Sequence, residues 1–126
     1  MTRAIYFPRR AKKEFSFSMG GWGAAEASSF LRYWAAAPDD KKTRGTSNYG
    51  GLDDAALNEV VGRALVMMDD DKRADILRQG ITRLLETGAF IPLHFESTIW
   101  AHRADLVMKG RTDQYTLAMS VTSAKK

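Results

Sequence analysis

The side chains best placed for chemistry are His94 and Glu96, two residues apart in a segment that alternates between apolar and polar residues. Alternate residues of a strand project from the same face, so both could contact one metal ion. A protein metal site needs at least one more ligand, and the sequence offers none at a suitable spacing. The pattern therefore favours a polar strand edge over a metal-assisted enzyme, which stays as a minor alternative.

Other catalytic signatures are missing from the sequence. Cysteine is absent, which excludes disulfides, thiolate metal sites and cysteine nucleophiles. Ser28 and Ser29 lie in no G-x-S-x-G elbow, and the glycines of residues 20–23 form neither of the common phosphate-binding loops. The sequence therefore predicts a protein without enzymatic activity and without a cofactor.

Trp22 is the strongest candidate for a binding residue. Gly20 and Gly21 precede it and Gly23 follows it, so small neighbours leave the indole ring open to an approaching group. Asn48, in a loop rich in polar residues, could supply both a hydrogen-bond donor and an acceptor opposite the ring. The alternative is that Trp22 fills the gap between the following helix and a sheet.

The chain carries a mild positive charge. Its 126 residues include 19 basic and 15 acidic side chains, a net charge of +4, and 44% hydrophobic residues. No apolar run approaches the roughly 20 residues of a membrane-spanning helix. A basic cluster near the start could bind nucleic acid, although it does not alternate with aromatic residues as single-strand binders require; it comprises Arg3, Arg9, Arg10, Lys12 and Lys13.

Helical signals dominate the middle of the sequence. A helix is predicted over residues 25–36, followed by a loop over residues 38–51. Apolar residues at spacings of three and four then predict two helices that form a hairpin. Asp53 or Asp54 caps the first of these helices, and the aspartates of residues 69–71 cap the second. The second has an apolar stripe that includes Leu84 and Leu85, and it ends at Gly88.

Period-two patterns predict strands on both sides of these helices. A strand-like apolar run covers residues 4–7, and residues 14–19 alternate as in a half-buried strand. Further strands are expected from Phe90 to about Arg103 and over residues 115–122. These elements predict an α/β class, or an α+β fragment, in which the helical hairpin packs on a partial mixed sheet.

The order of these motifs resembles the family 5 extracellular solute-binding proteins, the peptide- and nickel-type receptors of ABC importers. The resemblance covers nearly the whole chain. It lies in residues 14–23 with Ser28-Ser29-Phe30-Leu31, Asn48-Tyr49, the helix from Asp53, Asp70-Asp71-Lys72-Arg73, Ile91-Pro92-Leu93-His94-Phe95, Trp100-Ala101, and Arg111-Thr112-Asp113 with Thr116-Leu117-Ala118.

The resemblance implies the C-terminal part of a two-lobed periplasmic-binding-protein type II fold. Residues 1–90 would form the end of the second lobe, and residues 91–126 the hinge-crossing strand and a C-terminal strand that returns to the first lobe. The function implied is binding of a peptide or other small organic solute in the periplasm, with the importer's membrane subunits as partners and no nucleic acid. As a fragment with open sheet edges, the chain is expected to self-associate.

The expected ligand site gathers six residues around the Gly-Trp motif. Peptide-binding members of the family often have an aspartate a few residues after this motif, which pairs with the amino terminus of the peptide. The present chain has Glu26 near that place. The predicted ligand-binding residues are Gly21, Trp22, Gly23, Glu26, Asn48 and Tyr49.

Overall fold

The computed structural model describes residues 1–24 and 26–124 and combines helices with a small sheet, an α+β composition. The chain divides into two compact units, Met1–Ile91 and Pro92–Lys126. The first unit has helices α1 (Arg3–Ala11), α2 (Ala27–Phe30, continued by a π-helical turn, Leu31–Ala35), α3 (Ala55–Val66) and α4 (Asp70–Glu86), with a 3-10 turn at Asp40–Lys42. The second has strands β1 (Leu106–Met108) and β2 (Val121–Ser123) and a 3-10 turn at Ala118–Ser120.

The hairpin of α3 and α4 is confirmed, and both of its N-caps are aspartates. The Asp54 side chain accepts a hydrogen bond from the Leu57 amide, and that of Asp69 from the Lys72 amide. Asp54 also accepts two hydrogen bonds from Arg83, at 3.1 and 2.6 Å, so the same carboxylate joins the two helices. Gly88 follows α4 at φ +67°, as expected of a glycine that terminates a helix.

The core lies where the hairpin packs on α2 and its π-helical turn. Gly80 of α4 permits a close approach, since a Cβ there would lie 2.8 Å from Cδ1 of Leu31. The predicted helix over residues 25–36 is confirmed over residues 27–35; Glu26 and Ala36 are extended, and Ala25 lies outside the described residues. The buried residues of this core are Leu31, Ala35, Ala36, Leu57, Val61, Ala64, Ile76, Leu77 and Leu84.

The strand-like prediction for residues 4–7 is wrong, because these residues lie in helix α1 with Pro8 inside it. A proline in a helix removes one backbone hydrogen bond. Contacts of one helix face offset that loss: the Tyr6 ring stacks on Phe15 at 5.6 Å between centroids, and Arg10, one turn later, is buried. Tertiary packing therefore overrides the local signal.

The predicted strands over residues 14–19 and from Phe90 to about Arg103 are also wrong. In the described residues both segments are irregular, and Phe17, Leu93 and Phe95 are exposed to solvent. A period-two pattern becomes a strand only where a neighbouring strand accepts and donates its backbone hydrogen bonds. The described part of the chain provides no such neighbour for either segment.

The sheet is smaller than predicted and is antiparallel rather than mixed. Strands β1 and β2 pair with Leu106 opposite Ser123 and Met108 opposite Val121. Of the predicted strand over residues 115–122, only the end lies in β2. Two arginine–aspartate pairs hold the flanking turns: hydrogen bonding from Arg103 lowers the pKa of Asp105, and hydrogen bonding from Arg111 lowers the pKa of Asp113 to about 2.

Candidate functional site

Trp22 lies in a segment without regular secondary structure and is partly exposed to solvent. The residue is 43% exposed. The indole Nε1 donates a hydrogen bond to Oγ of Ser29 at 3.0 Å, and the ring centroid lies 5.9 Å from that of Tyr33 and 6.0 Å from that of Trp34. Tyr33, Trp34 and Ser29 therefore hold the ring in place, while part of Trp22 is accessible to a flat apolar group.

The glycines around Trp22 have different roles. A Cβ at Gly20 would lie 2.4 Å from Cη2 of Trp34 and 2.8 Å from Nη1 of Arg10, so only glycine lets the backbone approach so closely. A Cβ added at Gly21 or Gly23 would meet no described atom within 4 Å. Gly20, which the sequence analysis left out of the site, therefore anchors the segment, while Gly21 and Gly23 leave open space beside the ring.

Arg10 lies between two aromatic rings behind this segment. Its guanidinium carbon lies 4.4 Å from the Trp34 ring centroid and 5.2 Å from that of Tyr49, distances typical of cation–π contacts. Its Nε donates to Oγ of Ser18 at 3.0 Å. The contacts run from Trp22 through Trp34 and Arg10 to Tyr49, and thus bring two of the predicted site residues into one cluster.

Asn48 is placed beneath the loop rather than at an open surface. The residue is 6% exposed. Its amide nitrogen donates to the carbonyl oxygens of Ala36 and Leu52, at 2.9 and 2.7 Å, and its amide oxygen accepts from the Leu52 amide at 3.0 Å. Both amide hydrogens are used. Asn48 thus fixes residues 48–52 against the end of α2, and its place in the site is indirect.

Glu26 is paired within the protein. Its Oε2 lies 3.8 Å from Nε of Arg73, and Oε1 accepts a hydrogen bond from the Ser28 hydroxyl. The carboxylate of Glu26 therefore already has a cationic partner on α4. An incoming ammonium group would have to compete with Arg73 for it.

Sequence reasoning missed the parts that Arg10, Tyr33 and Trp34 play around Trp22. In the sequence, Arg10 is one of several basic residues that lie close together near the start of the chain. The helical spacing of Tyr6 and Arg10, four residues apart on one face, was the signal that could have placed Arg10 beside the aromatic residues. Trp34 and Tyr33 lie in the π-helical turn, and such turns are frequent at functional sites.

The geometry gives little support to the two alternative functions, nucleic-acid binding by the basic cluster and metal-assisted catalysis by His94 and Glu96. Arg9 forms an ion pair with Glu14 at 2.6 Å and Arg10 is buried, so two members of the basic cluster are engaged within the chain. Among residues 1–24 and 26–124, no group of three or more His, Cys, Asp or Glu side chains could hold a metal ion. His94 and Glu96 thus have no further ligand of these types nearby in that part of the chain.

Trp22 is accessible at the protein surface. A shallow groove between α2 and α4 lies elsewhere, lined by Ala27, Ala74, Leu77, Arg78, Ile81 and Thr82. No helix in the described residues is both long enough and apolar enough to cross a membrane.

Comparison with known proteins adds no relative: no protein-family model, no curated protein and no solved structure matches the chain.

Proposed function

We propose that this chain binds a small organic solute or a short peptide, without catalysing a reaction, as the C-terminal part of a periplasmic substrate-binding protein of an ABC importer. The observation that supports this most directly is the half-exposed ring of Trp22, which is held in place by Tyr33, Trp34 and a hydrogen bond to Ser29. Solute-binding sites commonly combine such an aromatic face with a few fixed polar groups.

The motif order along the sequence supports the same proposal. The Gly-Trp segment precedes a helix, and Asn48 and Tyr49 follow in the long loop, as the resemblance to family 5 solute-binding proteins implies. The partial exposure of Trp22 fits one half of a two-lobed receptor, where the other lobe closes over the ligand. The importer's membrane subunits would be the partners of the full receptor.

The test is a calorimetric titration of the chain with an equimolar pool of tripeptides. The wild-type chain should release or absorb heat in a saturable manner, and Trp22→Ala should weaken this binding at least tenfold. Trp100→Ala is the matched control, because Trp100 is a tryptophan of the second unit and should leave binding unchanged. Equal binding by wild type and Trp22→Ala would contradict the proposal, as would a complete lack of binding by the wild type.

A further inference from the structure

The most unusual group in the first unit is the guanidinium of Arg10, a buried cation without an ion pair. The residue is 7% exposed, and no ion pair joins it to a carboxylate in the described residues. Its Nη1 is buried and has no hydrogen-bond partner there. Burial of an unpaired charge is costly, and aromatic faces offset only part of that cost.

Three other arginines of the same unit differ from Arg10 in that each forms an ion pair. Arg9 lies 2.6 Å from Glu14, Arg83 lies 2.6 Å from Asp54, and Arg73 lies 2.7 Å from Asp70. These side chains are far more exposed than Arg10, yet each has a carboxylate. Arg10 is much more buried than these three arginines, yet no ion pair joins it to a carboxylate in the described chain.

The segment that covers Arg10 is held mainly by side chains. Within residues 15–23 as described, no backbone amide donates to a backbone carbonyl. Three hydrogen bonds attach the segment: Tyr6 Oη to the Met19 carbonyl at 2.5 Å, Arg10 Nε to Ser18, and Trp22 Nε1 to Ser29. Gly20 lies directly over Nη1. Displacement of Gly20 would therefore uncover Nη1 without breaking a backbone hydrogen bond in the described part of this segment.

We propose that the solute bound at Trp22 carries an anionic oxygen group, a carboxylate or a phosphate, that pairs with Arg10. This inference rests on the proposed function and narrows its ligand class. Charge-assisted hydrogen bonds from a guanidinium to such a group are among the strongest in proteins. Glu26 is already paired with Arg73, so the site discriminates through the acidic group of the ligand rather than through a free amine.

The experiment compares two probes that differ only in this group, N-acetyl-tri-alanine and its C-terminal amide. Calorimetry on the wild-type chain should give at least about tenfold tighter binding of the carboxylate, the size expected for a charged hydrogen bond. Arg10→Gln should remove the difference between the probes. Arg9→Gln, its neighbour in the same helix, should keep it. Equal wild-type affinities, or a difference that persists in Arg10→Gln, would overturn the inference.

A second measurement keeps the inference testable if Arg10→Gln folds poorly or if neither probe fits. The melting temperature of the wild type should rise in inorganic phosphate, relative to chloride at equal ionic strength, by more than the general stabilisation that phosphate gives to folded proteins, since a ligand that binds only the folded state stabilises it further. Arg9→Gln should show the same increment, and Arg10→Lys a smaller one. No increment in the wild type would overturn the inference.

Trp22→Ala separates the proposed binding at Trp22 from the proposed pairing with Arg10. Trp22→Ala should weaken the binding of both probes alike, whereas Arg10→Gln should weaken the binding of the carboxylate alone.

Discussion

At the scale of single residues, the glycine before the Gly-Trp pair decides how the site is built. Gly20 lies so close to Trp34 and Arg10 that a methyl group has no room, while Gly21 faces open space. This contrast between neighbours is not visible in the sequence, where both are glycines before a tryptophan. It separates the packing role of the motif from its proposed binding role.

Gly20→Ala should destabilise the first unit by about 1–3 kcal/mol, the usual cost of overpacking a filled site. The added Cβ would lie 2.4 and 2.9 Å from two carbons of the Trp34 ring. Gly21→Ala is the matched control and should change the free energy of unfolding little. Urea unfolding followed by circular dichroism measures both. Equal stability of the two variants would show that residues 18–22 do not pack on Trp34 as described.

Asp54 makes the stability of the hairpin depend on acid. Hydrogen bonding from Arg83, and then from the Leu57 amide, lowers the pKa of Asp54 below its ordinary value of 3.8. The contribution of Asp54 to the free energy of unfolding is therefore complete at pH values above the ordinary pKa of 3.8. It is lost as the pH falls through the lower pKa of the folded state.

The free energy of unfolding should consequently decrease as the pH is taken below about 3.8, the ordinary pKa of this group. Asp54→Asn should reduce this acid dependence, because asparagine keeps the N-cap but does not titrate. Asp75→Asn, which alters an exposed i, i+3 pair with Arg78, should retain it. If Asp54→Asn lost as much stability at low pH as the wild type, the pairing of Asp54 with Arg83 would not be the source of the acid dependence.

At the scale of elements, the hairpin of α3 and α4 is the part that the sequence predicts best. Its caps, its apolar spacing and its terminal glycine are all local signals. The predicted stripe included both Leu84 and Leu85, yet the structure buries only the first. Leu84 is 1% exposed and Leu85 is 45% exposed, because α4 has a single contact face toward α2 and α3.

Leu84→Ala should cost about 2–5 kcal/mol, the range for truncating a buried leucine. Leu85→Ala removes the same atoms from a half-exposed position and should cost much less. Thermal or urea unfolding of the two variants measures the difference. A loss of a few tenths of a kcal/mol for Leu84→Ala would mean that α4 is rotated about its axis relative to this description.

The strands were predicted poorly for a physical reason. Residues 14–19 and 91–95 alternate as strands do, but alternation states only which side chains would share a face. Whether a strand forms depends on a partner elsewhere in the chain, and the described residues contain none for these segments. The helix that contains Pro8 also depends on other parts of the chain. Contacts of Tyr6 with Phe15 and of Arg10 with Trp34 stabilise this helix although proline disfavours it locally.

At the scale of the whole molecule, the second unit leaves large apolar side chains in solvent. Phe95 and Ile99 are almost fully exposed, and Met119 is similar. Side chains of this kind with an irregular, unpaired backbone favour association between chains. Of the residues that cluster around Trp34, the sequence indicated Trp22 and Tyr49 as candidates, whereas Arg10 and Gly20 join the cluster only through contacts of α1 and of the Gly-Trp segment.

The chain should therefore self-associate at micromolar or higher concentration. Sedimentation velocity should show a weight-average mass that increases with concentration. Replacing Phe95 and Ile99 by lysine should suppress this increase, whereas Thr98→Lys in the same segment should have a smaller effect. A wild-type monomer that stays compact at every concentration would contradict the expectation.

The central claim is that the surface at Trp22 binds a small organic solute, and the three tryptophan indole N–H signals test it in a single nuclear magnetic resonance titration. Trp22 is half-exposed at the proposed site, Trp34 is buried behind it, and Trp100 belongs to the second unit. With the tripeptide pool added, the Trp22 signal should shift most, Trp34 less, and Trp100 not at all. Signals that all stay in place, or a Trp100 shift as large as that of Trp22, would contradict the account.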